Sequence, residues 1–114
     1  MLSISGMKRF YFIPKVTDMR YSKDRMLSIV RNSYHLDSMN GDVFIFMSKN
    51  RRTVRMIHFE NNAYYLHQKT FVKGYRFMKV TFKEEKPVYS IDWKDLMAVL
   101  ESPVINCLSI GSGE

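Results

Sequence analysis

Four cations fall within seven residues of SKNRRTVR, at Lys49, Arg51, Arg52 and Arg55. Guanidinium forks hold phosphate oxygens in bidentate pairs, and every phosphate neutralised releases condensed counterions, so this grouping suits a polyanion. Lys69, Lys73 and Arg76 continue the run, and Arg20 would extend it. From Val43 to Lys83 nine Lys or Arg stand against Glu60 alone, a net +8, whereas residues 1–42 carry +3 and residues 84–114 carry −4. A field of one sign over part of a surface concentrates polyanions and speeds encounter. The same charges would also keep a turn soluble and discourage edge pairing. The unevenness of the field favours a DNA phosphate contact at a basic hairpin.

Other chemistry is thinly supplied. His35, His58 and His67 lie in different segments with no acid at ligand spacing, and Cys107 is the only cysteine, so neither a zinc site nor an internal disulfide is expected. Asp18, Asp42 and Glu60 are the only acids near the basic region, and nothing in their spacing converges them on Mg²⁺. Ser-His-Asp, Cys-His and Gly-rich phosphate patterns do not occur. The expectation is a protein that is not an enzyme and carries no metal or cofactor. Tyr64, Tyr65, Phe71, Tyr75 and Phe77 alternate with cations as in single-strand binders, but an antiparallel sheet buries one face and these rings are expected to fill it.

The elements that must position these residues follow from periodicity. KRFYFI (8–13) reads as a strand ended by Pro14. SKDRMLSIVRNSY (22–34) puts Leu27, Val30 and Tyr34 on one helix face, flanked by Met26 and Ile29, with Ser22 as N-cap. DVFIFM (42–47) is apolar without alternation, as in a strand covered on both faces. KNRR turns the chain into a strand at 53–60, and Asn61-Asn62 into another at 63–69, because Asn tolerates positive φ. Strands are also expected at 75–82 and 87–91. IDWKDLMAVLES (91–102) is the cleanest helix, with Asp92 as N-cap, an apolar face of Trp93, Leu96, Met97 and Leu100, and Pro103 beyond its end.

The implied fold is α+β: a single domain over residues 1–103, an antiparallel meander packed with two helices, and a loose tail at 104–114. Length (114 residues) and an apolar share of 46% support one real core. No run approaches the roughly 18 apolar residues of a membrane span. The N-terminal charges follow an apolar patch, the reverse of a signal peptide, so no membrane association and a cytoplasmic location are expected.

TDMR (17–20), GDVFIFMSKNRR (41–52), MIHFE (56–60) and SIDWKDLMAVLE (90–101) occur in an order that resembles a bacterial family. It is similar to the second-open-reading-frame accessory proteins of insertion-sequence-66-type transposons, over about residues 10–100. The resemblance implies a protein encoded beside a separate, longer transposase that assists transposition and has no established catalytic activity. It carries over Asp18, Met19 and Arg20, then Gly41, Phe44 and Phe46, and Asn50, Arg51 and Arg52, while Arg55 replaces a usual lysine. Two segments depart from the family pattern. A Gly-Asp-Gly-like turn is replaced at Asn61, Asn62 and Ala63, and KTFVKGYRF (69–77) displaces a Phe by one place, so a bulge or divergent edge is expected near Gly74.

Two partners compete for this surface. One is DNA, met through the basic hairpin. The other is the transposase, with the chain as a docking module using a sheet face or the segment after Pro103. A free strand edge would also permit a homodimer.

Overall fold

The structure, a computed structural model, describes residues 9–105. Its elements are β1 (Phe10–Phe12), α1 (Lys23–Asn32), β2 (Val43–Met47), β3 (Thr53–Glu60), β4 (Ala63–Thr70), β5 (Tyr75–Arg76), β6 (Tyr89–Ile91), α2 (Trp93–Glu101) and β7 (Val104–Ile105). Five strands form one sheet in the order β4-β3-β2-β1-β6, and β5 pairs with β7 in a separate ribbon.

The α+β class holds, and the meander holds for β2, β3 and β4, which are antiparallel neighbours. It fails at β1, which runs parallel to β2 with Phe10 opposite Val43. The reason is the connection: residues 13–42 contain α1, and a long helical crossover returns the chain in the same direction, which a short turn cannot do. The sheet is therefore mixed, with β6 antiparallel on the far side of β1.

Each face has its own helix. α1 buries Met26, Leu27 and Val30 against Ile13, Phe44, Phe46 and Ile57. α2 buries Leu96, Val99 and Leu100 against Phe12, Val43, Ile45, Val54 and Met56. β2 lies between, buried at all five positions, which is why its sequence shows no alternation. The Ser22 hydroxyl accepts from the Arg25 amide at 3.1 Å and satisfies one of the orphan donors of α1. Asp92 occupies the N-cap position of α2 without a side-chain cap bond.

The β3–β4 turn follows the sequence closely. Asn61 and Asn62 have φ of 55° and 63°, the two left-handed residues of a type I′ turn. Glu60 pairs with Ala63 and His58 with Tyr65.

The expected strand at 75–82 is cut to Tyr75–Arg76, and it pairs with β7 instead of the main sheet. Gly74, at φ +99°, redirects the chain, and the Phe77 ring is fully buried in the α2-side core. That plug commits residues 77–82 to covering the sheet instead of extending it. The divergence near Gly74 is a departure from the sheet, not a bulge within a ladder. Val104 and Ile105, at the start of the segment read as a tail, form β7, and the rest of that segment lies outside the described residues. Among the described residues no helix is long and apolar enough to cross a membrane.

Candidate nucleic-acid interface

The β2–β3 turn is shaped by two small polar side chains. Ser48 Oγ accepts from the Thr53 amide at 3.0 Å and donates to Asn50 Oδ1 at 2.8 Å. Asn50 Oδ1 also accepts from the Arg52 amide at 3.0 Å, and the Arg51 amide donates to the Ser48 carbonyl at 2.9 Å. These bonds hold Arg51 in the left-handed region at φ 61° and put Lys49 and Asn50 at an exposed tip. Ser48 was not singled out from the sequence. Its signal was available, since Ser and Asn two residues apart are turn-forming side chains.

Two loops flank this turn, one on each face of the sheet. On the α1 face, Thr17, Asp18 and Met19 line a shallow depression of about 360 Å³ together with Ser48, Lys49 and Asn50. The Asp18 carboxylate accepts from the Arg20 amide at 2.9 Å and from its guanidinium at 3.0 and 2.8 Å. Those side-chain and backbone hydrogen bonds pull the Asp18 pKa from 3.8 to about 2. On the α2 face, the Phe71 amide donates to the Arg52 carbonyl at 2.8 Å and the Phe77 amide to the Arg51 carbonyl at 2.7 Å. The 71–76 loop then presents exposed Val72, Lys73 and Tyr75 beside the turn.

The seven cations read as one patch take different roles. Lys49 and Lys73 are exposed at this end, and Arg51 occupies the turn. Arg52 spends its fork on the Phe71 carbonyl at 3.1 and 2.8 Å. Arg55 donates to the carbonyls of Tyr21 at 2.7 Å and Met19 at 2.9 Å, and to Gln68 Oε1 at 2.9 Å. Lys69 donates to the Leu100 carbonyl at 2.7 Å, the natural place for a cation at the end of α2. Arg76 is half-buried, with Nε lacking a hydrogen-bond partner among the described residues. Arg55 and Lys69 thus serve opposite faces, because Arg55 stands across from Gln68 while Lys69 stands across from Val54.

Of the aromatics interleaved with these cations, Phe77 is buried and Phe71 and Tyr64 are half-buried, whereas Tyr65 and Tyr75 are exposed. The remaining family-motif residues Gly41, Phe44 and Phe46 are buried, the two Phe in the α1-side core.

The acids do not converge. Asp18 lies beside the 48–52 turn, whereas Asp42 and Glu60 lie at the opposite end of the β2–β3 hairpin. At that end His58 is buried, with Nε2 3.2 Å from Glu60 Oε1 and its ring 5.0 Å from Tyr65 and 5.6 Å from His67. Among the described residues no three His, Cys, Asp or Glu are placed to hold a metal ion.

The site is therefore a polar, basic end of a two-sided α+β domain, where the Asp-Met-Arg turn and the Ser-Lys-Asn-Arg turn meet. Residues 8–108 match the family described as IS66 Orf2 like protein, and the chain belongs to that family. Its membership places it among the accessory proteins of IS66-type transposable elements. Neither the curated proteins nor the solved structures gave a match.

Proposed function

We propose that this chain is a non-catalytic accessory protein that contacts the DNA backbone through the end built from the 48–52 turn and the 71–76 loop. The observation that carries it is the meeting of two family-motif turns at that end, with Lys49 and Lys73 exposed beside them. Exposed lysines on short, well-braced loops can follow phosphates without a fixed sequence preference. The reading needs no cofactor and no metal.

The test is binding to a labelled duplex carrying an element end, and to a scrambled duplex, from about 50 to 200 mM salt. Affinity should fall steeply with salt, and Lys49→Ala/Lys73→Ala should reduce the slope by roughly 2. Absence of binding at the lowest salt, or an unchanged slope in the double variant, would overturn this reading.

A second reading, docking on the transposase, draws on Val72 and Tyr75, which are 70% and 42% exposed at the same end. It requires retention of the transposase that is insensitive to salt and lost in Val72→Ser/Tyr75→Ser.

A further inference from the structure

β4 is an edge strand of eight residues, and the opposite edge, β6, has only three. The two-residue turn after Glu60 makes Glu60–Ala63 a hydrogen-bonded pair, so Ala63, Tyr65, His67 and Lys69 bond inward to β3. Tyr64, Leu66, Gln68 and Thr70 consequently point their N–H and C=O groups away from the sheet. Among the described residues no turn or loop bond engages those groups. A long edge is ordinarily blunted by Pro, a bulge or charge, but β4 holds neither Pro nor bulge. Its one full charge, Lys69, is turned to Leu100. Leu66 and Tyr65 are instead 44% and 41% exposed there.

We infer that the β4 edge pairs antiparallel with β4 of a second copy of this chain, about a two-fold axis at Leu66. Antiparallel pairing is self-complementary, which is what an isologous interface requires. Charge permits this occupant, and the exposed Leu66 side chain meeting its own copy sets the register. With Leu66 opposite Leu66, Tyr65 faces His67, Tyr64 faces Gln68 and Ala63 faces Lys69, so no two cations oppose one another. About six backbone hydrogen bonds close the seam, two for each of the pairs formed by residues 64, 66 and 68. The result is a continuous ten-stranded sheet with the two basic ends directed oppositely along the strands. The inference rests on the edge alone and is independent of whether DNA is bound.

Sedimentation of the purified chain, without DNA, over roughly 1 to 100 µM tests it. The mass should rise with concentration from 13.6 kDa towards twice that value, and Leu66→Lys, which sets like charges across the axis, should hold the chain monomeric. A cross-link gives a second readout that does not depend on that variant folding. In a Cys107→Ser background, Leu66→Cys should oxidise to a covalent dimer, because paired Cα atoms about 5.5 Å apart lie within disulfide reach. Thr70→Cys, four places from the axis, should not. A monomer at every concentration overturns the inference and leaves the edge to a strand of another protein. A dimer indifferent to Leu66→Lys, or cross-linking equally at Thr70, overturns it as well.

Discussion

Arg55 reaches back to Met19: its guanidinium donates to the Met19 carbonyl at 2.9 Å while the same fork also holds the Tyr21 carbonyl and Gln68. A side chain in the middle of β3 thus fixes the loop that carries the Asp-Met-Arg turn, and ties it to β4. Arg and Lys differ here in geometry, since only the planar fork spans three acceptors at once.

Arg55→Ala should lower stability by about 2 to 3 kcal/mol, since part-buried charge-assisted hydrogen bonds are lost and two carbonyls are stranded. Arg55→Lys should recover less than half of that. Urea unfolding monitored by circular dichroism measures both. If the two variants unfold with the wild-type midpoint, Arg55 does not brace this loop.

The Asp18–Arg20 pair predicts an acid-side titration. Asp18 is depressed from 3.8 to about 2, so its contribution is complete above the unfolded value and fades as pH falls through the folded one. Carbon-13 NMR of the Asp18 carboxyl should titrate near 2 in the wild type and move towards 3.8 in Arg20→Ala. An unchanged midpoint in the variant would remove Arg20 as the cause.

How far the sequence could be read depends on whether the deciding interaction is local. The Ser22 cap, the Asn61-Asn62 turn and the unbroken apolar run of β2 are set by neighbours along the chain, and all were legible. The parallel pairing of β1 with β2 was not, because 30 intervening residues separate the partners and only the packing of α1 fixes the direction. The short β5 was likewise missed, since Phe77 answers to Arg51 and the α2-side core and not to its own alternation. For the candidate site, sequence clustering grouped seven cations that folding distributes between the turn end and two opposite faces of the sheet. Alternation within a strand settles such questions only once register is known, and the main-chain carbonyls that accept from Arg52, Arg55 and Lys69 lie 19 to 36 residues away.

Stability should also depend on pH through His67. Its Nε2 is buried without a partner among the described residues, and burial, reinforced by the neighbouring His58, lowers its pKa below 6.5. The folded state therefore takes up a proton less readily than the unfolded chain. Stability is complete above about 6.5 and declines as pH falls from there towards the folded value. Glu60, bonded to His58, and Lys69 flank the pair on the same face, so the comparison needs a variant at His67 alone. His67→Phe should lose less of its urea midpoint between pH 7.5 and 5 than the wild type loses. Equal losses would assign the dependence to other groups.

Arg52 gives the sharpest separation of scaffold from contact. Its fork holds the Phe71 carbonyl while its own carbonyl accepts from the Phe71 amide, so Arg52→Ala removes the first contact, leaves the second and should loosen the 71–76 loop against the turn. The expected cost is about 1.5 to 3 kcal/mol, the range for a hydrogen bond to a charged group with a part-buried acceptor left behind. Hydrogen exchange localises the effect: the amides of Phe71 and Phe77 should lose protection, while that of Ile13, which donates to the Ile45 carbonyl at the end of the central β1–β2 ladder, should fall only by the global change. Lys49→Ala, by contrast, should leave both stability and exchange unaltered, because the Lys49 side chain projects from the tip. If Arg52→Ala leaves the Phe71 amide protected, the turn and the loop hold together without this fork, and its guanidinium is then available for phosphate.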